Sequence, residues 1–427
     1  MKSPTLRRVA ILGGMRTPFV KSFTTYRHVT EQDLMTAALE ALVQQQGLQG
    51  KTLGDVALGA VMMHSKDWNF ARECVLGTTL NPATPAYNVQ RACGTGLETA
   101  NHIALKIAAG QIEVGIAAGC DTNSDLPVVA KKELADFLLN LRDARTLPER
   151  LKVLASFRPT MVVPQFPMVT EPRTGLSMGE HTELMVKEWK ITREAQDQLA
   201  FESHQKGAKG YDEGFYQDLV FKFQGIDRDG ILRKDTTMEK LAKLKPAFDK
   251  TSGAGTLTAG NSTPLTDGAA AVLLASEEWA KQNNKEPLAF LVDVESAALD
   301  FVKGEGLLMA PTLAVSRLLE RNNLKLQDFD FYEIHEAFAG QVLCTLKAWE
   351  DPAFCKAKLG RTAAMGSVDR SKMNLQGGSL AMGHPFAATG GRILAGLAKQ
   401  LKQKGSGRGL ISICTGGGMG IAAIVER

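Results

Sequence analysis

The chain alternates short apolar runs with longer segments in which apolar residues recur every three or four positions. The short runs predict buried strands, and the periodic segments predict amphipathic helices. Predicted strands cover residues 8–14, 55–63, 114–120, 290–295, 328–334, 410–414 and 421–426, with one more from Ala269. Predicted helices cover residues 31–46, 310–321 and 388–403, with one more from Cys93 to about Gly110. Strands that alternate with helices predict an α/β protein with a largely parallel sheet.

The region from about residue 123 to residue 260 interrupts this alternation. Segments 127–143, 148–157 and 177–210 predict charged helices, and segment 158–174, with four prolines, predicts irregular backbone. We interpret the region as a helical lid inserted into the first of two α/β halves. The predicted domains are the first part of the N-terminal half at 1–122, the lid at 123–260, the completion of the N-terminal half at 261–283, and the C-terminal half at 284–427.

The two halves repeat the same order of elements. In the first half, Cys93 precedes a helix and a strand that ends at Cys120, 27 residues later. In the second half, His384 precedes a helix and a strand that ends at Cys414, 30 residues later. We infer a pseudo-two-fold relation in which Cys93 and His384 begin equivalent helices. Both then point toward the strand ends, where α/β proteins place their sites.

Composition narrows the functional classes. With 427 residues, of which 44% are hydrophobic and 22% charged, the chain is ordinary for a globular protein with a large core. A net charge of only +4 does not favour a nucleic-acid surface. The six cysteines have no close pairs, which predicts neither a disulfide framework nor a metal site and indicates a reducing compartment. No apolar run approaches the length of a membrane span. A bacterial cytoplasm is the expected location, with the mitochondrial matrix as the alternative for a processed chain.

Four short clusters contain the candidate chemistry, and each lies at a strand or helix end. Cys93 comes just before a helix, whose free N–H groups and dipole favour a thiolate nucleophile. A nucleophilic thiol needs a base, and His384 in the Gly-His-Pro turn supplies one. Cys414 is a second thiol, suited to exchanging a proton with carbon. Gly416, in the triple-glycine turn after Cys414, exposes an N–H suited to an oxyanion hole. His335 begins the fourth cluster, His-Glu-Ala-Phe.

Each cluster also has a simpler interpretation. Cys93 fits a buried structural cysteine, and the glycines after Cys414 fit a plain turn or a weak nucleotide loop. A phosphate loop needs a following helix, whereas only a short strand follows here. Zinc held by the two histidines and two cysteines lacks a close-spaced ligand pair. Lysines at 240, 243 and 245 fit either a solvated surface or an anionic ligand.

Taken together, these clusters resemble the thiolase family over essentially the whole chain. The matching motifs are Cys-Gly-Thr-Gly-Leu-Glu from Cys93, Thr-Ala-Gly-Asn-Ser-Thr-Pro-Leu-Thr-Asp-Gly-Ala from Thr258, His-Glu-Ala-Phe-Ala-Gly from His335, Gly-His-Pro-Phe-Ala-Ala-Thr-Gly from Gly383, and Cys-Thr-Gly-Gly-Gly from Cys414. The chain is most similar to 3-ketoacyl-CoA thiolases of the trifunctional β-subunit type. The resemblance implies two βαβαβαββ halves in five layers, α-β-α-β-α, with an inserted lid.

The resemblance also implies a mechanism, thiolytic cleavage of 3-ketoacyl-CoA in fatty-acid β-oxidation. His384 would deprotonate Cys93, which attacks the 3-keto carbon, and Cys414 would protonate the departing acetyl-CoA carbanion. A second CoA thiol would then release the acyl group from Cys93. One oxyanion hole would use the N–H groups of Cys93 and Gly416. The other would use the His384 ring and a water held by His335, which stands where most relatives carry Asn.

The family further implies CoA and acyl-CoA as substrates, with no cofactor. Met178, Thr263 and Phe338 match residues that border the CoA channel, and the lysines near 240–250 become candidates for its phosphates. A homodimer or dimer of dimers is expected, together with a hydratase/dehydrogenase α subunit as a partner.

Several alternatives stay open at this point. One is an acetyl-CoA acetyltransferase that makes acetoacetyl-CoA by Claisen condensation. A ketoacyl synthase is a second, although such enzymes use two histidines without a second cysteine, so Cys414 argues against it. A catalytically inactive lipid carrier or scaffold on the same fold is a third, and a metal-binding regulator is a fourth.

Overall fold

A computed structural model describes residues 6–427, so the first five residues of the predicted N-terminal half lie outside the described part. The strands are β1 Val9–Arg16, β2 Val20–Lys21, β3 Asp55–Leu58, β4 Ala86–Asn88, β5 Val114–Asp121, β6 Thr266–Ser276, β7 Ala289–Ala298, β8 Phe331–Ile334, β9 Arg408–Thr415 and β10 Met419–Glu426. The helices are α1 Glu31–Gln46, α2 Phe70–Leu76, α3 Thr95–Ala108, α4 Lys132–Asp143, α5 Leu147–Ala155, α6 Met178–Glu188, α7 Arg193–Asp212, α8 Met238–Ala242, α9 Glu277–Gln282, α10 Ala310–Arg321, α11 Ala339–Glu350, α12 Pro352–Leu359, α13 Ser379–Met382 and α14 Ala388–Lys404.

The strands form one hydrogen-bonded path in the order β4-β3-β5-β6-β1-β7-β10-β9-β8, and β2 pairs with β6. Only β3 with β4, β3 with β5, and β8 with β9 are parallel. The prediction of a largely parallel sheet is therefore wrong, and the sheet is mixed. The reason lies in the connections. A three-residue turn joins β9 to β10 and permits only an antiparallel hairpin, and β6 returns from the long lid, which allows either direction.

The helices lie on both faces of this path of strands, and the order of layers is helix, strands, central helices, strands, helix. In the middle, α3 and α14 pack on each other and on strands of both halves, while α1 covers one outer face and α10 the other. Buried apolar side chains such as Leu97, Ile103 and Leu394 fill this middle layer. The predicted α/β fold of two halves is confirmed, and the central helices bring Cys93 and His384 toward each other.

Several predicted boundaries are wrong. The strand predicted at 55–63 ends at Leu58, because the following N–H groups of Val61 and Met62 donate to the carboxylate of Asp121 instead of to a strand. The helix predicted from residue 127 begins at Lys132. Two helices that the pattern did not predict, α11 and α12, follow the His335 cluster.

The lid region contains α4 to α8 and no strand of the sheet, and its domain boundaries stay a prediction. Its segment 177–210 is two helices, α6 and α7, separated at Lys190, which has φ of 52°. The lid is tied to β1 by a buried ion pair in which Arg16 donates two hydrogen bonds of 2.6 Å to Asp229. No helix within residues 6–427 is long and apolar enough to cross a membrane.

Candidate active site

Cys93 lies in a tight turn between β4 and α3. The preceding Ala92 has φ of 43°, and the hydroxyl of Thr95 bridges the turn by accepting the Arg91 N–H and donating to the Ala92 carbonyl. The thiol is half-buried. The N–H groups of Cys93 and Gly416 both approach its sulfur, and each lowers the thiol pKa. The candidate nucleophile therefore lies where two N–H donors converge, an arrangement that suits an oxyanion hole.

Gly94 allows this convergence. A Cβ on Gly94 would lie 2.8 Å from Cγ2 of Ile421 and 3.0 Å from Cγ2 of Thr415, so the Cys93 turn rests directly on the β9–β10 hairpin. That hairpin carries Cys414 near the end of β9 and then the glycine turn with Gly416. Two thiols from different halves of the chain thus share one site.

Burial keeps both thiols protonated. It raises the pKa of Cys93 to about 12, more than the two N–H groups lower it. The expectation that the helix N-terminus favours a Cys93 thiolate is therefore not met. Burial, and next the neighbouring Cys93, hold the pKa of Cys414 well above its ordinary value. Consequently the first thiol needs a base, and the second is suited to donate a proton.

His384 follows Gly383, whose φ of 102° turns the chain sharply before Pro385. Its N–H donates to Oγ1 of Thr266 at 2.8 Å, and its Nδ1 lies 2.6 Å from Oγ1 of Thr389. The other ring nitrogen, Nε2, is buried and has no hydrogen-bond partner within residues 6–427. Burial, aided by the positive charge of Arg392, lowers the pKa of His384 to about 3. The ring is therefore neutral and able to accept a proton.

His335 follows β8 and lies beside His384, with 4.1 Å between ring centroids. Its N–H donates to the Ser412 carbonyl at 2.8 Å, and its Nδ1 lies 2.8 Å from Oγ of Ser379. Burial, and next the neighbouring His384 and Arg392, hold the pKa of His335 well below its usual value. The adjacent Glu336 accepts hydrogen bonds from Ser203, Asn374 and Leu380, at distances of 2.7, 2.5 and 3.2 Å.

The three residues predicted to border a CoA channel lie around this centre. The Met178 methyl carbon is 3.8 Å from the position that a Cβ on Gly416 would take. Phe338 packs edge-on against Phe248, with 5.8 Å between centroids, and shares an apolar cluster with Cys414. Thr263 donates its hydroxyl to the Ala337 carbonyl at 3.0 Å, which leaves only acceptor capacity toward a ligand.

The sequence pattern missed several residues that build the site. Glu171, in the irregular lid segment, accepts the Gly417 N–H at 2.6 Å and so holds the glycine turn. Asp121, at the end of β5, accepts the Ala387 N–H at 2.8 Å and holds the His384 turn. Ser379 and Arg392 surround His335. An acidic residue next to prolines was the only local signal for Glu171.

Every predicted catalytic residue is thus brought into one region: Cys93, His335, His384, Cys414 and Gly416. The arrangement combines a nucleophilic thiol, neutral imidazoles, a second buried thiol and converging N–H donors, which suits acyl transfer. Among residues 6–427, no three His, Cys, Asp or Glu side chains are arranged to hold a metal ion.

Two family models match the chain, "Thiolase, N-terminal domain" over residues 9–278 and "Thiolase, C-terminal domain" over residues 285–427. The chain belongs to the thiolase family. The 3-ketoacyl-CoA thiolase of Serratia proteamaculans is 43% identical over 98% of this chain and 97% of the relative, and that of Yersinia enterocolitica is 41% identical over the same shares. The family, the fold and the enzyme class predicted from the sequence are therefore confirmed.

Solved thiolase structures agree. The crystal structure of the Bacillus anthracis acetyl-CoA acetyltransferase matches with a TM-score of 0.82 and 30% identity, covering 99% of this chain and 100% of that one. The human mitochondrial 3-ketoacyl-CoA thiolase in complex with CoA matches with a TM-score of 0.81 and 29% identity, covering 99% and 98%.

Proposed function

We propose that this thiolase cleaves 3-ketoacyl-CoA with a second CoA, giving acetyl-CoA and an acyl-CoA shortened by two carbons, as in fatty-acid β-oxidation. The observation that carries the proposal is the meeting of Cys93 and Cys414 at the β9–β10 hairpin, with the neutral His384 and His335 in the same region. The names of the relatives that are 41–43% identical support the degradative direction.

The proposed chemistry follows from the protonation states. His384 accepts the Cys93 proton at Nε2, and the thiolate sulfur attacks C3 of the substrate. The C2–C3 bond then breaks, its electron pair passes to C2 and the thioester oxygen as an enolate, and Cys414 protonates C2. Cys414 then takes the proton that His384 received from Cys93, so His384 is neutral again. The thiol of an incoming CoA gives its proton to His384 and attacks the acyl carbon, and Cys93 leaves as a thiolate that takes this proton back. No cofactor takes part in this proposal, and CoA is a substrate.

The deciding measurement is CoA-dependent cleavage of 3-ketoacyl-CoAs from four to about sixteen carbons, beside a Cys93→Ala control. Cleavage of long substrates that is lost in the control supports the proposal. Cleavage of acetoacetyl-CoA alone would favour the acetyltransferase alternative, which the Bacillus anthracis structure keeps open. No cleavage of any substrate would favour a carrier or scaffold on the thiolase fold.

We place the CoA phosphates at a cavity of about 270 Å³ between the lid and the Thr258–Ala269 motif. The charged side chains that line the cavity are Lys21, Arg233, Lys240 and Asp235, and it reaches Ser262. Lys240 forms an ion pair of 2.6 Å with Asp235, so a phosphate would have to compete with this carboxylate. Ser262 pairs with the backbone of Phe338, beside the His335 cluster. Lys243 and Lys245, which the sequence made equal candidates, do not line it.

This difference gives a matched test. We expect Arg233→Ala and Lys240→Ala each to raise the KM for CoA by about two- to fivefold, the range for a partly exposed charge contact. Lys243→Ala and Lys245→Ala serve as controls and leave KM unchanged. Equal effects of all four substitutions would show general surface electrostatics rather than this cavity.

The homodimer remains a proposal. It is supported by β4, whose outer edge ends the sheet, and by Trp68, which is 77% exposed and whose carbonyl accepts a hydrogen bond from Asn88 of β4. We expect light scattering to give twice the chain mass, and Trp68→Lys to shift the protein toward monomer. A monomer in the unsubstituted protein would contradict the proposal.

A hydratase/dehydrogenase α subunit and a cytoplasmic location also remain proposals. The α4–α5 hairpin exposes Leu147, Leu151 and Leu154 at 49–71%, which supports a protein partner for the lid. Leu147→Asp with Leu151→Asp is expected to abolish co-purification of the α subunit while thiolysis persists. All six cysteines are free, which supports a reducing compartment.

A further inference from the structure

The neighbouring rings of His335 and His384 each have two possible neutral tautomers, with the proton on Nδ1 or on Nε2. Each ring has its Nδ1 hydrogen-bonded to a hydroxyl and its Nε2 buried without a partner within residues 6–427. Both rings are neutral, so each Nε2 is either a donor or an acceptor toward substrate. For His335 the hydroxyl partner decides which, and for His384 the proposed chemistry does.

Ser379 determines which ring nitrogen of His335 carries the proton. Its Oγ has two partners, Nδ1 of His335 at 2.8 Å and Nη2 of Arg392 at 2.9 Å. A guanidinium only donates hydrogen bonds, so Ser379 accepts from Arg392. The single hydroxyl proton is then free to donate to Nδ1 of His335. In the opposite arrangement the buried hydroxyl proton would have no acceptor, which is unfavourable.

His384 requires the other tautomer. To take a proton from Cys93 or from CoA, its Nε2 must hold a lone pair, so Nδ1–H donates to Oγ1 of Thr389 at 2.6 Å. Among residues 6–427, Nδ1 of His384 is the only hydrogen-bond partner of the Thr389 hydroxyl, so the proposed chemistry, and not this hydroxyl, assigns the His384 tautomer. The two rings therefore present different atoms to substrate, a donor on His335 and a base on His384.

We propose that Arg392 and Ser379 are positioning residues that fix His335 in the Nε2–H tautomer, so that His335 itself donates a hydrogen bond to the enolate oxygen formed on acetyl-CoA. This inference rests on the proposed function and deepens it. It replaces the expected water held by residue 335 with a direct donor from the ring. The enolate receives the C2–C3 electron pair, and the hydrogen bond lowers the energy of that charge before Cys414 protonates C2.

The inference predicts that two reactions of the enzyme depend differently on His335. Carbon–carbon cleavage forms the enolate and uses His335. Acyl exchange between an acyl-CoA and free CoA passes only through the Cys93 thioester, whose oxyanion lies at the N–H groups of Cys93 and Gly416. Loss of the His335 tautomer should therefore slow cleavage selectively.

The test compares both rates in Ser379→Ala, Arg392→Met and Arg392→Lys. We expect Ser379→Ala and Arg392→Met to lower 3-ketohexanoyl-CoA thiolysis by about 10- to 100-fold, as expected for loss of one oriented donor. Exchange of labelled CoA into hexanoyl-CoA should stay within about threefold. Arg392→Lys keeps a donor and should recover much of the thiolysis. Ser367→Ala is the matched control, because Ser367 is exposed and belongs to no part of the site.

A direct readout is the ¹⁵N spectrum of histidine-labelled protein, in which Nδ1 of His335 should be unprotonated and should change in Ser379→Ala. Equal falls of thiolysis and exchange, or unchanged thiolysis in Ser379→Ala, would overturn the relay. Absence of thiolysis in the unsubstituted protein would instead overturn the proposed function on which it rests. Ser379→Ala removes a single oxygen, so it keeps the test decisive if Arg392→Met fails to fold.

Discussion

Replacing Gly94 by alanine tests whether the contact between the Cys93 turn and the β9–β10 hairpin sets the catalytic geometry. The added Cβ would meet Cγ2 of Ile421 at 2.8 Å and Cγ2 of Thr415 at 3.0 Å, against 3.4 Å for an ordinary contact. Both methyl groups belong to β-branched side chains in strands, so neither rotates away easily. The turn and the hairpin must then separate by roughly 0.5 Å, the mean of the two shortfalls.

This displacement would move the Cys93 thiol away from the Gly416 N–H. Because a misplacement of about 1 Å can cost on the order of 100-fold in rate, about half that displacement predicts a kcat lower by roughly tenfold. Overpacking of the contact predicts a loss of about 1–3 kcal/mol in the free energy of unfolding. The KM for CoA should change by less than about twofold, because the proposed phosphate cavity lies on other segments.

Gly396→Ala is the matched control. Gly396 lies in α14, and a Cβ added there would meet no atom within 4 Å. We expect it to raise the free energy of unfolding by about 0.5–1 kcal/mol through helix propensity and to leave kcat unchanged. Steady-state thiolysis and urea unfolding measure both variants. A Gly94→Ala enzyme with kcat within about twofold of the unsubstituted protein would refute the reasoning, as would an equal loss in Gly396→Ala.

Three further predictions concern stability, each followed by urea unfolding. Burial lowers the pKa of His384 from 6.5 to about 3, so between these pH values the unfolded chain binds a proton that the folded chain excludes. The free energy of unfolding should therefore fall as pH drops from 6.5 toward 3. This fall should be smaller in His384→Gln. In Glu336→Gln, an amide NH₂ faces hydrogen-bond donors whose bonds the Glu336 carboxylate now accepts, so the free energy of unfolding should fall by about 1–3 kcal/mol. An unchanged urea midpoint would contradict this hydrogen-bond network. Asp229→Ala leaves Arg16 buried without its carboxylate and should cost about 3–5 kcal/mol, and the Arg16→Met, Asp229→Leu pair should recover most of that loss.

Local sequence signals predicted the elements that local forces determine. Helix α1 has the predicted bounds because its apolar period is clear, Thr30 caps its first turn and Gly47 ends it in the left-handed conformation. The candidate site residues could also be singled out, since each lies in a short motif at the end of an element. Strand direction was not, because it depends on pairing between segments such as β5 and β6, about 150 residues apart.

Contacts across the fold determined the features that sequence reasoning missed. Ser379 lies 44 residues from His335 and 13 from Arg392, and no spacing pattern marks such a trio. The Cys93 pKa was predicted in the wrong direction because the dipole of a helix can be inferred from sequence, whereas desolvation by a neighbouring hairpin cannot.

The lid has two different relations to the active site. Glu171 accepts the Gly417 N–H, and Ser203 donates to the Glu336 carboxylate, so the lid supports both the glycine turn and the His335 cluster. Changes at either contact should therefore alter catalysis itself. The α4–α5 hairpin makes neither contact and exposes an apolar face, so this part of the lid is free to change its partners without changing the chemistry. The inserted region thus contacts the active site through these two hydrogen bonds, one buried and one partly buried, while its outer hairpin remains separable from it.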